Sequence, residues 1–142
     1  MSLFVKDIPG GPPTIWKNVS DSSGKIHSNY GWCIWSKENF NQFDSCVDKL
    51  LNDPFTREAC MIYNRPSMQV EYNSDGMHDF MCTFSTQQFL NKIDEDKYAL
   101  DYTVFQRSCD AVFGYCNDVL WHLHVRNKLV KTLNEHGMNV II

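Results

Sequence analysis

Several things are missing from this sequence, and each absence narrows what the chain can be. No apolar run approaches the ~18 residues of a membrane span, so no transmembrane helix is expected. The start, Met1-Ser2-Leu3-Phe4-Val5-Lys6-Asp7, is too mixed and too short for a secretory signal. Six cysteines stand at 33, 46, 60, 82, 109 and 116, and none forms a Cys-x-x-Cys pair. Without a signal peptide ahead of them they read as free thiols in a reducing, cytoplasmic setting. There is no basic excess: the net charge is -4, which argues against non-specific nucleic-acid binding. A local basic pocket for one phosphate stays open. No zinc-like spacing of Cys and His occurs. His122 and His124 lie two apart on an expected helix and face different sides, so no metal is expected. No repeat or low-complexity segment is visible.

What remains is an ordinary globular composition. The 142 residues are 43% hydrophobic and 21% charged, which fits one packed domain over 1–142. The first 31 residues read as irregular, with turns at Gly10-Gly11-Pro12-Pro13 and Ser22-Ser23-Gly24-Lys25. A helix follows Ser36, which can cap it, with Phe40, Phe43, Val47, Leu50 and Leu51 on its apolar face. Asn52-Asp53-Pro54 stops it. Ala59 to Tyr63 reads as a buried strand that Arg65-Pro66-Ser67 breaks. Phe80 to Leu90 is strand-like, and Asn91 to Asp96 reads as a charged turn. Leu100, Tyr102, Val104 and Gln106 alternate with Asp101, Thr103 and Phe105, which predicts the second strand of a hairpin. A long helix is predicted from about Asn117 to Leu133, with Leu120, Leu123, Leu129, Val130 and Leu133 as its apolar face and Gly137 as its stop. Val140-Ile141-Ile142 looks like a strand just begun. The sum is a mixed α/β (α+β) domain.

Local chemistry alone leaves alternatives open. Cys82 enters a predicted strand, where a cysteine is ordinarily a buried small hydrophobe. A reactive thiol would need an electropositive niche, supplied in space by Arg107 or Arg57. Arg107-Ser108 follows a strand, and a guanidinium beside a hydroxyl suits phosphate. The same arginine can instead pair with Asp110 on the surface. Asn117-Asp118 can cap a helix or face a base. Trp16, Trp32 and Trp35 are core or interface aromatics at least as readily as ligand platforms.

Longer motifs add a resemblance. Gln106-Arg107-Ser108-Cys109-Asp110, followed by Gly114, resembles the phosphate-binding signature of thymidylate synthases. Ser2 to Gly10, Ser28-Asn29-Tyr30-Gly31-Trp32, Met61-Ile62-Tyr63, Arg65-Pro66-Ser67-Met68-Gln69 and Asp79-Phe80-Met81-Cys82-Thr83 resemble the phage deoxycytidylate hydroxymethylase branch of that family. The similarity runs from Ser2 to about Leu133. It implies a thymidylate synthase-type mixed sheet packed with helices, and a homodimer formed through sheet faces. It implies dCMP as substrate and 5,10-methylenetetrahydrofolate as one-carbon donor, with water completing a hydroxymethyl group.

The resemblance also implies roles. Cys82 would be the nucleophile that adds to carbon 6 of the pyrimidine. Arg107 and Ser108 would hold the nucleotide phosphate, and Arg57 would reach a partner subunit's phosphate. Asp118 stands where thymidylate synthases carry an asparagine that reads uracil. A carboxylate there would accept from the exocyclic amino group of cytosine. Asp110, Gly114, Tyr30 and Trp16 would line the nucleotide and folate pocket. Glu58 departs from the family's adjacent arginine pair, and a carboxylate there should repel phosphate. The family's glutamate and an amino-terminal arginine would precede this segment. Its sugar-holding histidine and tyrosine would follow Ile142. The chain therefore looks truncated at both sides relative to the family, and two alternatives stand beside the enzyme. One is an inactive nucleotide-binding or dimerising remnant. The other is half of a split enzyme that needs a complementary chain.

Overall fold

The structure is a computed structural model, and it describes Ser22, Ile26 and residues 28–71, 81–112 and 114–142. Backbone contacts divide the chain into two compact units. One holds residues up to Gln42 and 62–81, the other Phe43–Met61 and Cys82–Ile142.

In the first unit, helix α1 spans Tyr30–Trp35. It opens two residues before the point where the sequence reads as ordered. The Asn29 side chain caps it by accepting from the Trp32 backbone N–H at 3.1 Å. Gly31, Trp32, Cys33 and Ile34 are all buried, so α1 has no polar face and leaves no amphipathic period to read. Ser36 is indeed a cap, but for the short 3₁₀ turn Lys37–Asn39. Phe40 ends that turn in the left-handed region at φ 63° and is 89% exposed. It therefore does not join the apolar face predicted for the next helix. The Gln42 carboxamide donates to the carbonyls of Cys33 and Ile62 and accepts from the Ile62 N–H at 2.7 Å. Arg65 lies over the Trp32 ring, 5.1 Å from its centroid. Tyr30 packs edge-on against Tyr63 at 5.3 Å. Pro66 does end the preceding segment, and it opens helix α3, Pro66–Glu71, as a proline at a first helical position can.

Helix α2, Gln42–Asn52, runs into the second unit and buries Phe43, Cys46, Val47 and Leu50. Strand β1, Cys60–Ile62, leads a four-stranded sheet of order β1-β2-β3-β4. Strands β2 (Thr83–Asp94) and β3 (Lys97–Gln106) form the predicted antiparallel hairpin. Asn91 to Asp94 extend β2, so the turn shrinks to Glu95-Asp96. Charged residues are tolerated there because 91–94 are exposed. Helix α4, Tyr115–Glu135, buries His122, Val125, Leu129 and Leu133. Leu120 is 65% exposed and Leu123 is also exposed, which corrects the predicted apolar face. The spacing 122, 125, 129, 133 is the helical stripe, and its first member is a histidine. The helix ends in a Schellman motif. Met138 N–H bonds to Leu133 C=O and Gly137 N–H to Asn134 C=O, with Gly137 at φ +91°. Strand β4, Val140–Ile141, then pairs parallel to β3. The Asn134 side chain clamps Val140 through both its backbone groups.

Candidate active site

The hairpin register builds the site. Leu90, Gln88 and Thr86 pair with Leu100, Tyr102 and Val104, and these residues share the face turned to the core. Counting back by two from Thr86 would place residue 84 on that face. A bulge intervenes: Thr83 pairs with Gln106 and Ser85 with Phe105, so Phe84 is the extra residue. Phe84 turns out to solvent and Thr83 turns in, fully buried. The next residues on the two strands, Cys82 and Arg107, then meet, and the Arg107 N–H bonds to the Cys82 carbonyl at 3.0 Å.

That pairing brings three of the predicted site residues together. Arg107 Nη2 stands 3.8 Å from Cys82 Sγ, and Ser108 Oγ stands 3.7 Å from it. Both donate to the sulfur. Cys82 is half-buried, whereas Arg107 and Ser108 are exposed. Neighbouring Cys109 is exposed too. Desolvation first, then the charges of Asp118, Cys82 and Asp110, push its thiol up. Cys109 therefore favours the protonated form beside a sulfur that accepts hydrogen bonds. All six cysteines are free thiols.

Asp118 is joined to the cluster through side chains. Gln106 Nε2 donates to Asp118 Oδ2 and to Thr83 Oγ1, each at 3.3 Å. Thr83 Oγ1 lies 3.2 Å from His122 Nε2. Burial lowers the His122 pKa to about 4, so this imidazole is neutral at ordinary pH. An open depression of about 210 Å³ lies beside these groups. Tyr102, Gln106, Tyr115, Asp118, His122 and Arg126 are among its lining, and Cys82 is not. Asp118 is no helix cap: Gly114 holds that position without a side-chain bond, and Asp118 sits in the first turn.

Asp110 and Gly114 build the turn between the signature and α4. The Asp110 carbonyl accepts from the Gly114 and Tyr115 N–H groups, and its carboxylate accepts from the Val112 N–H at 2.8 Å. A Cβ on Gly114 would stand 3.2 Å from the Asp110 Cβ and carbonyl oxygen, so a side chain there would crowd the turn. Arg57 is exposed and is not among the groups touching Cys82. Its carbonyl accepts from the Gln87 amide at 3.0 Å. Glu58, the departure noted above, lies 3.8 Å from Lys49 Nζ. An exposed pair of that kind is weak, but it offsets part of the carboxylate's charge. Tyr30 belongs to the other unit. Trp16 lies outside the described residues.

The thymidylate synthase family model matches residues 9–125. The chain belongs to the thymidylate synthase family. Three relatives, the deoxycytidylate 5-hydroxymethyltransferases of Enterobacteria phages T4, T2 and T6, are each 53% identical to it over 133 residues. That stretch covers 94% of this chain and 52% of each relative, so the chain spans about half the length of these proteins. Among solved structures, thermostable thymidylate synthase A from Bacillus subtilis superposes with a TM-score of 0.61 at 21% identity. The match covers 90% of this chain and 44% of that one. The fold is therefore of the thymidylate synthase type, as the motifs implied.

Thr83 and His122 are site-region residues that motif reading missed. Thr83 ends the matched Asp79–Thr83 motif but drew no role from it, His122 was weighed only as a metal ligand, and only the bulge at Phe84 turns Thr83 towards α4. Among the described residues no group of three or more His, Cys, Asp or Glu gathers to hold a metal. His122 is buried and His124 exposed, on different sides of α4. No helix of the described residues is long and apolar enough to cross a membrane.

Proposed function

We propose that this chain carries hydroxymethyltransferase chemistry on deoxycytidylate, with Cys82 as the nucleophile. The observation that supports it most is the convergence of Arg107 Nη2 and Ser108 Oγ on Cys82 Sγ. Family membership and the phage relatives support the same reading.

On this reading the Cys82 sulfur adds to carbon 6 of the pyrimidine, and the electron pair moves to carbon 5. Methylenetetrahydrofolate supplies the one-carbon unit that carbon 5 takes up. Carbon 5 then loses its proton as the bond from the new carbon to the folate nitrogen breaks and tetrahydrofolate leaves, water adds to that carbon as its hydroxyl, and the Cys82–carbon 6 bond breaks to free the thiolate. Arg107 and Ser108 hold the nucleotide phosphate. Arg107 has five N–H donors and can serve sulfur and phosphate together, whereas Ser108 has a single O–H and must turn from one to the other. Asp118, half-buried and held by Gln106, accepts from the cytosine amino group and selects dCMP over dUMP. Asp110 and Gly114 shape the nucleotide and folate pocket. A second copy of the chain pairs through the sheet and offers Arg57 to its neighbour's phosphate. A phage enzyme of this kind acts in the host cytoplasm.

The test is tritium release from carbon 5 of labelled dCMP in the presence of methylenetetrahydrofolate, with C82S as control. Release that vanishes in C82S is the expected result. A folded protein that releases no label, or a C82S variant that releases as much, contradicts the proposal.

A further inference from the structure

Asp118 can read a base only if its carboxylate is held in one orientation, and three side chains from three elements bear on that. Gln106 comes from β3, Thr83 from β2 and His122 from α4. The Gln106 amide nitrogen has two hydrogens, and both are placed: one towards Asp118 Oδ2, the other towards Thr83 Oγ1. A carboxylate only accepts, so the nitrogen and not the oxygen of the carboxamide must face Asp118. The Thr83 hydroxyl accepts from Gln106 and shares a hydrogen with His122 Nε2 at 3.2 Å. Burial keeps that imidazole neutral, so Nε2 has one role towards the hydroxyl, set by the tautomer. Donation thus runs from Gln106 to both Thr83 and Asp118, with the Thr83 hydroxyl held from its far side by His122. Thr83 is fully buried and His122 is 7% exposed, so water is a poor substitute at either position.

We propose that Thr83 and His122 are positioning residues that lock the Gln106 carboxamide, which in turn orients Asp118 and sets the preference for an amino-bearing pyrimidine. The proposal rests on the reading of Asp118 as the base-recognition group. The bulge at Phe84 is part of the device, because without it residue 84 rather than Thr83 would face α4.

The first readout needs no nucleotide. In ¹⁵N spectra of the wild-type protein and T83S, the two Gln106 amide protons should give well-separated, slowly exchanging signals. In T83V and H122L their exchange should quicken about tenfold. H122Q, which returns a hydrogen-bonding group near the position of Nε2, should restore the slow exchange. The second readout is the ratio of dUMP to dCMP dissociation constants. It should fall about tenfold in T83V and H122L and stay unchanged in T83S, while affinity for inorganic phosphate holds in all of them. Gln106 signals unchanged in both T83V and H122L overturn the proposal. So does a base preference that survives T83V but collapses in D118N, and that result leaves the role of Asp118 standing. A preference unchanged in D118N overturns the reading of Asp118 and the specificity step built on it, whereas the Gln106 signals still judge the locking contact by itself. Should T83V fail to fold, H122L makes the same test from the far end of the chain of bonds.

Discussion

Cys46 and Cys82 carry the same thiol into opposite settings. Cys46 is 1% exposed on α2, and its S–H donates to Gln88 Oε1 at 3.3 Å. Burial, with a smaller contribution from Cys60 and against Lys49, pushes that thiol up to about 12. Cys82 is half-buried at the open end of the hairpin and accepts from Arg107 and Ser108. The Cys46 sulfur donates and is held as a thiol, whereas the Cys82 sulfur accepts from a cationic and a hydroxyl donor. Residue type is the same in both places, so burial and the direction of the hydrogen bond are what set the two sulfurs apart.

The largest expected effect comes from removing one sulfur at a time. C82S should lower turnover by at least about a thousandfold without unfolding the protein, whereas C46S should keep turnover within about twofold and lose stability instead. Steady-state rates and urea midpoints of the two variants decide this. Equal losses of turnover would erase the contrast. Next in size is the pH dependence of stability. His122 is neutral in the fold down to about pH 4, while in the unfolded chain it takes up a proton near pH 6.5. Its folded pKa is lowered, so its contribution is complete above pH 6.5 and falls away as the pH drops towards 4. Unfolding free energies from urea titrations should fall over that window, by up to about 3 kcal/mol, and H122Q should flatten the slope. D118N should move base preference from dCMP towards dUMP by roughly tenfold to a hundredfold, read as the ratio of dissociation constants. The smallest effect sharpens the contrast directly. R107A should slow iodoacetamide alkylation of Cys82 about tenfold and leave Cys46 unreactive until the protein unfolds.

Much of the fold was legible because it obeys simple periods. The alternation of Leu100, Tyr102, Val104 and Gln106 is observed in β3, the hairpin forms, and Gly137 stops α4 in the conformation that a stop requires. Reading failed where a period was broken or masked. The six-residue α1 has no polar side to set a rhythm. On α4 the leucines at 120 and 123 drew the apolar stripe away from His122, because a scale of hydrophobicity does not count a buried imidazole. The bulge at Phe84 shifts Thr83 by one residue and so reverses its face, which no alternation rule anticipates. In the site, Cys82, Arg107, Ser108 and Asp118 were named from motif resemblance. The register explains why the first two are neighbours: the residue before Thr83 and the residue after Gln106 lie opposite each other. The Gln106–Thr83–His122 contacts depend on that same register and could not be read from any one segment.

The most direct test of the account is peptide-mapped mass spectrometry of the protein incubated with methylenetetrahydrofolate and a dCMP analogue carrying fluorine at carbon 5. Fluorine cannot leave as a proton does, so an adduct formed at carbon 6 is trapped. The account predicts the added mass on the peptide containing Cys82 and none on the peptide containing Cys46. Modification at Cys46, or a folded protein with no adduct at Cys82, would contradict it.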